Sequence, residues 1–130
     1  MLQSQTERYL ETAVQTATPA QLLLMLYDGA IRFCRAGAEA IKQRDYAAAN
    51  TYLQKTQAII RELLVTLDRR YPVAEPLSQL YDYFLNRLLQ ANLKKDPAPA
   101  EEVLGYLVDL KNTWAEAAKL ASKGAASAHG

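Results

Sequence analysis

The chain has very few of the residues that carry most enzyme and metal chemistry. Its 130 residues include one histidine, His129, and one cysteine, Cys34. One cysteine cannot form an internal disulfide, and a single histidine near the C-terminus cannot complete a Ser/His/Asp, Cys/His or di-iron Glu-x-x-His site in the folded part. Glycine-rich phosphate loops and Cys-x-x-Cys pairs are also missing. The sequence therefore predicts a protein that is not an enzyme and that uses no metal or cofactor.

Excess charge and long hydrophobic runs are lacking too. The net charge is +1, and the charged residues, 22% of the chain, are interspersed in sign. A nucleic-acid binder would need a basic stripe, so this class is excluded. No apolar run approaches the roughly 18 residues of a membrane span, and the segment 1–12 has no apolar core of a secretion signal. We therefore expect a cytoplasmic protein without membrane insertion.

Apolar residues make up 50% of the chain and recur at helical spacing in four segments. Thr18 is a helix cap, followed by Pro19 at the first helical position and Gln21 three residues on, and Asp45 can cap the second segment. The pattern predicts an all-α, antiparallel four-helix bundle at 18–121. The expected helices are 19–42, 46–70, 76–95 and 98–121, between a mobile arm or lid at 1–17 and a disordered tail at 122–130.

Two of the predicted helices, the first and the third, carry apolar arcs of roughly 200° and roughly 220°, whereas an ordinary surface helix needs about 100°. Residues in the centres of the apolar arcs are expected in the core: Leu26, Phe33, Ile60, Leu63, Phe84, Leu88, Leu107 and Trp114. Exposed apolar excess is typical of a partner surface. Arc-edge residues are therefore candidates for partner binding: Leu24, Ile31, Tyr52, Ile59, Leu85, Leu89 and Leu93.

Tyrosine is the abundant aromatic, with eight residues, and it suits surfaces that become dry on binding. Tyr83 falls between polar neighbours and is assigned to a partner surface. Tyr27 is either a partner contact or a core residue with a satisfied hydroxyl, and both alternatives stay open. In the arm, Tyr9, Leu10 and Val14 share one face and are candidate contacts that exchange between docked and free states.

Several segments together carry a family resemblance. Tyr9 and Val14 lead into Thr16-Ala17-Thr18-Pro19 and then Leu24-Met25-Leu26-Tyr27-Asp28-Gly29. The third helix has Leu80-Tyr81-Asp82-Tyr83, then Arg87-Leu88, Ala91-Asn92 and Asp96. The fourth has Glu101-Glu102-Val103, Gly105 and Trp114-Ala115. In order and spacing, over about residues 9–118, this set resembles FliS, the flagellar secretion chaperone for flagellin.

The resemblance implies a small cytoplasmic chaperone that binds the disordered C-terminal segment of flagellin. It would prevent premature polymerisation and deliver the client to the flagellar type III export apparatus. The excess apolar arcs favour helix-in-groove binding of that segment, in a 1:1 complex. A homodimer of the free protein stays open. The alternative is a helical bundle that binds a small apolar ligand, or self-associates, without a chaperone role.

Overall fold

The fold is a ring of four helices. A computed structural model of the chain describes Arg8, Thr12 and residues 15–129, with side chains through Lys123. Its helices are α1 (Pro19–Lys42), α2 (Tyr46–Thr66), α3 (Ala74–Lys94) and α4 (Pro97–His129). α1 packs against α2 and α4, and α3 packs against the same two helices. The described residues contain no β-strand, and the predicted antiparallel four-helix bundle is confirmed.

Side-chain caps set where the helices begin. The Gln21 amide donates to Thr18 Oγ1 at 3.1 Å, and the Thr18 amide donates to Gln21 Oε1 at 3.0 Å, which completes a capping box around Pro19. The Ala48 amide likewise donates to Asp45 Oδ1 at 3.2 Å at the start of α2. These polar pairs satisfy amides that have no partner inside the helix. The predicted starts of α1 and α2 are therefore confirmed.

Four helix boundaries differ from the sequence prediction, among them the end of α3 at Lys94, one residue before the expected 95. α2 ends at Thr66 instead of 70, because Leu67 is extended and Asp68 accepts the Arg70 amide at 3.0 Å in a local turn. α3 begins at Ala74, two residues early, because Pro76 is tolerated in a first turn that lacks intrahelical partners. α4 begins at Pro97, one residue early.

The C-terminal end of α4 is a further difference. The predicted helix ended at 121, before a disordered segment at 122–130, whereas α4 continues to His129. Alanine has the highest helix propensity of all residues, and it recurs at Ala125, Ala126 and Ala128. This local preference favours the extension of α4, which the small, polar composition of the segment does not indicate.

The ring encloses one apolar core. The predicted core residues Ile60, Leu63, Phe84, Leu88 and Leu107 are at most 1% exposed, which confirms their assignment. Leu26 and Trp114 pack against this core but are only half-buried. Phe33 is also half-buried, and it stacks on Tyr52 at the edge of α2. The core prediction was wrong for Phe33, because its ring packs on Tyr52 and part of its surface stays open.

One close contact joins α1 and α2. A Cβ at Gly37 would lie 2.7 Å from Leu53 Cδ2 and 2.9 Å from its Cγ, and Leu53 is fully buried. Only glycine allows this approach of the two helices. The turns beyond α1 and α3 use left-handed residues that are not glycine, Arg44 at φ 60° and Lys95 at φ 53°. Such residues store a small strain at both helix ends.

Candidate functional site: an apolar groove along α1 and α2

The first turns of α1 are more apolar than the core requires. Leu22, Leu23 and Leu26 are half-buried, and with Pro19 they line a cleft of about 410 Å³. Ala17 and Thr66 complete its lining, so none of the described residues that border it is charged. The cleft lies where the N-terminal segment enters the bundle. An apolar concavity that opens to solvent favours binding of an apolar side chain.

The apolar surface continues along the contact between α1 and α2. Leu22, Leu26, Gly29 and Phe33 lie three or four residues apart on α1, so they share one face. On α2 the facing residues recur every seven positions: Tyr52, Ile59 and Thr66. We call these seven residues, together with Ala17, Pro19 and Leu23, the α1/α2 groove. It spans about three helical turns, or roughly 16 Å of α1.

Side-chain contacts shape the far end of the α1/α2 groove. A Cβ at Gly29 would lie 3.2 Å from Ile59 Cδ1, so the missing side chain lets Ile59 pack onto the α1 backbone. The rings of Phe33 and Tyr52 stack with centroids 6.3 Å apart and an interplanar angle of 23°. Lys55 Nζ lies 5.3 Å and the Arg32 guanidinium 5.6 Å from the centre of the Phe33 ring. The groove therefore has an apolar floor and a cationic edge at this end.

The predicted site residues fall into several groups. Tyr52 and Ile59 lie in the α1/α2 groove, and Leu24 is half-buried on the flank of α1 that faces α4. Ile31, at 8% exposed, and Tyr27, at 0%, belong to the core, and neither lines the α1/α2 groove. The position of a residue within a wide apolar arc does not show whether its side chain lies in a groove or in the core.

Tyr27 fits the core alternative that the sequence left open. Its hydroxyl pairs with that of Tyr81 at 2.5 Å, which links α1 to α3 across the bundle. Burial raises the pKa of both phenols. The hydrogen bond between them adds to this rise at Tyr81 and opposes it at Tyr27, where the nearby Trp114 indole opposes it as well. Trp114 Nε1 is buried, yet it has no hydrogen-bond partner in the described part of the chain.

Leu85, Leu89 and Leu93 form a second apolar surface, four residues apart along α3. Leu85 is half-buried, whereas Leu89 is 49% and Leu93 is 74% exposed. This α3 ridge borders the polar side of α2, where Asn92 Nδ2 donates to Asn50 Oδ1 at 2.8 Å. The ridge is therefore separated from the α1/α2 groove by the width of α2. The two sets of predicted residues do not form one continuous site.

Tyr83 lies on a third surface, between α3 and α4. Its hydroxyl donates to Glu102 Oε2 at 2.8 Å, and Arg87 Nε donates to Glu102 Oε1 at 2.6 Å. The hydrogen bond from Tyr83 lowers the pKa of Glu102, assisted by Arg87, and the same hydrogen bond raises the pKa of Tyr83. Tyr83 therefore fastens two helices while part of its ring is exposed. The arm residues Tyr9, Leu10 and Val14 lie outside the described residues.

Sequence reasoning missed part of the groove lining. Ala17, Pro19, Leu22, Leu23 and Thr66 were not proposed as contacts. The unbroken apolar run that begins at Leu22, just inside the helix cap, was the available signal. A continuous apolar run places apolar side chains on more than one face of a helix, so some of them remain outside the core.

Cys34 is the free thiol among the described residues. The Cys34 thiol donates to the Ala100 carbonyl oxygen at 3.2 Å, and burial raises its pKa to about 12. A thiol in this state is a poor nucleophile. No three His, Cys, Asp or Glu side chains in the described part gather as metal ligands. Among the helices described, none is long and apolar enough to cross a bilayer.

Comparisons with known proteins agree on one family. Residues 1–121 match the family model described as flagellar protein FliS. The flagellar secretion chaperone FliS of Bacillus subtilis is 42% identical over 109 residues, which cover 84% of this chain and 82% of the relative. That of Salmonella typhimurium is 39% identical over 116 residues, 87% of this chain and 86% of the relative. These relatives are export chaperones and not enzymes. The chain thus belongs to the FliS family of flagellar secretion chaperones.

Proposed function

We propose that the protein binds the C-terminal segment of flagellin by laying an amphipathic helix of the client along the α1/α2 groove. The observation that carries the proposal is the groove itself, which has an uncharged cleft of about 410 Å³ at one end and the Phe33–Tyr52 pair at the other. Its length of roughly three turns matches apolar anchors at positions i, i+4, i+7 and i+11 of one client helix. One such groove per chain favours a 1:1 complex.

Capture of this segment in the cytoplasm would keep monomeric flagellin from polymerising before export. The segment is disordered alone, so it gains order only as its apolar face becomes buried. A chaperone that holds it then delivers the client to the flagellar export apparatus. The open side of the groove favours a peptide over a small apolar ligand, which would be better retained by an enclosed cavity.

The binding test uses isothermal titration of the full chain with a peptide from the flagellin C-terminus. Leu22→Asp places a charge in the apolar cleft, next to a helix start that tolerates an acid, so the fold should persist. We expect binding to weaken at least tenfold. The matched control is Val65→Asp, because Val65 is 78% exposed on α2 outside the groove. Equal binding by Leu22→Asp and the parent protein would refute the site.

The α3 ridge is tested separately with Leu89→Asp. If the client also occupies the ridge, this variant should bind more weakly while it unfolds at the temperature of the parent. Unchanged binding would remove Leu85, Leu89 and Leu93 from the site. Global unfolding would show instead that Leu89 contributes to the core.

The arm, residues 1–17, is proposed as a lid over the groove. Ala17 and Pro19 line the cleft, so the chain enters the bundle at the place where the client would bind. A lid competes with its client, so a chain that lacks residues 1–15 should bind the flagellin peptide more tightly. Weaker binding with an unchanged melting curve would identify the arm as a direct contact. Hydrogen exchange adds a second readout, since a displaced lid exchanges faster when client is added.

A further inference from the structure

The opposite flank of α1 has a second concave site. Between α1 and α4 lies a pocket of about 430 Å³. Its floor is apolar, formed by Ile31 of α1, which is buried, and Val108 of α4, which is half-buried. We call it the α1/α4 pocket. The α1/α2 groove and this pocket open on different sides of the same helix and meet at Arg32, which borders both. Arg35 lies on the pocket side alone, so a ligand held there leaves the groove open.

The rim of the α1/α4 pocket carries an excess of positive charge. Three cations line it, Arg32 and Arg35 from α1 and Lys111 from α4, together with one carboxylate, Asp28. Lys111 Nζ lies 2.5 Å from Asp28 Oδ1, so this carboxylate is already paired. Arg32 and Arg35 are exposed, and neither has a carboxylate partner among the residues described. The Arg35 guanidinium is therefore available for an external anion, whereas that of Arg32 also lies 5.6 Å from the centre of the Phe33 ring.

The residues that line the α1/α4 pocket favour a carboxylate over a phosphate as the bound anion. A guanidinium fork matches carboxylates and phosphates alike. Phosphate sites, however, usually add backbone amides from a helix start or a glycine-rich loop. Here both walls are helix interiors, whose amides are already used, and Asp28 on the rim would repel a doubly charged group. The Asn112 amide and the apolar floor instead suit the singly charged carboxylate of a glutamate or aspartate side chain.

We propose that the α1/α4 pocket binds glutamate or aspartate side chains of an acidic segment in a protein partner other than the client. Arg35 receives a carboxylate, Arg32 adds positive charge at the rim, and Ile31 and Val108 contact the aliphatic part of the same segment. This site does not depend on the proposed client groove. It gives the chaperone a second, charge-selective contact that persists while the α1/α2 groove is full.

The test measures binding of two synthetic peptides to the full chain at low and at physiological salt. One peptide repeats Ala-Glu-Glu-Ala, and the other has Gln at every Glu position. We expect the Glu peptide alone to bind, and to bind more weakly as salt rises. Arg35→Gln should weaken it about tenfold, since a charge-assisted hydrogen bond is lost. Asp28→Asn should strengthen it about threefold, because the competing carboxylate is gone.

Lys94→Gln is the matched control, because Lys94 is exposed on α3, far from the pocket. It should bind the Glu peptide like the parent protein. The proposal is overturned if the parent does not bind the Glu peptide at low salt, if Lys94→Gln loses as much as Arg35→Gln, or if Asp28→Asn weakens binding. Full displacement of the peptide by equimolar inorganic phosphate would show a small-anion site and also overturn it. Flagellin-peptide binding by Arg35→Gln is read in parallel and should stay unchanged.

Discussion

The hydroxyl pair of Tyr27 and Tyr81 makes a sharp stability prediction. Both rings are at most 1% exposed, and each hydroxyl is the hydrogen-bond partner of the other. Replacing one tyrosine by phenylalanine removes a single oxygen and leaves the other hydroxyl buried without that partner. An unsatisfied buried polar group costs about 1–3 kcal/mol, whereas removing both partners is nearly neutral. The double variant Tyr27→Phe/Tyr81→Phe should therefore be more stable than either single variant.

The two single variants should also differ from each other. When Tyr81 becomes Phe, the Tyr27 hydroxyl can still turn towards the nearby Trp114 indole N–H, which has no partner in the described structure. When Tyr27 becomes Phe, the Tyr81 hydroxyl has no such substitute. Tyr27→Phe should therefore be the most destabilised of the three variants, by about 2 kcal/mol, with a melting temperature about 8 °C lower.

Urea unfolding followed by circular dichroism measures all four proteins of this cycle. The coupling free energy between the two sites should be at least about 1 kcal/mol and favourable in the parent. Additive losses in the double variant would refute the reasoning, since they would mean that each hydroxyl has an independent partner. A Tyr27→Phe variant as stable as the parent would refute it as well.

Three further predictions concern stability alone. Gly37→Ala should lower the free energy of unfolding in urea by about 1–2 kcal/mol, because the clash of the new Cβ with Leu53 outweighs the gain in helix propensity. Gly105→Ala, whose Cβ meets open space, should raise it by up to about 1 kcal/mol. Equal effects of the two substitutions would show that the clash at Gly37 does not exist. Arg44→Gly should raise the melting temperature by a few degrees, since glycine adopts the left-handed turn without strain, and a lower value would contradict this. The buried Cys34 thiol has its pKa raised from 9.0 to about 12, so its contribution to stability is complete below pH 9 and is lost as the pH rises towards 12. Between pH 9 and pH 12, the Cys34→Ala variant should therefore lose less stability than the parent. If the free energy of unfolding falls equally with pH in both proteins, the pKa of Cys34 is not raised by burial.

The sequence predicted the helices well where a local signal exists. The Thr18–Gln21 capping box and the Asp45 cap act within a few residues, so the starts of α1 and α2 could be predicted. The end of α2 could not, because the turn depends on how Asp68 folds back onto Arg70. At such a boundary the preference of the chain to continue the helix and its preference to form a turn are of similar size.

The candidate site was predictable in part, and the missing part has a geometric cause. A wide apolar arc shows that a helix has two apolar neighbours, but it does not show the order of helices around the bundle. For this reason the sequence placed Leu89 and Ile59 in the same partner-binding set, although they lie on opposite sides of α2. Tyr27 could not be assigned at all, since its environment is set by Tyr81, which lies 54 residues away.

The position of α1 between its neighbour in sequence and the last helix also has a kinetic consequence. The contact between α1 and α2 closes a short loop, whereas Cys34 meets Ala100 only across 66 residues. Closing the longer loop costs more chain entropy, so the helical hairpin of α1 and α2 can form before α4 docks. During synthesis, the face of α1 around Cys34 stays uncovered until α4 has left the ribosome.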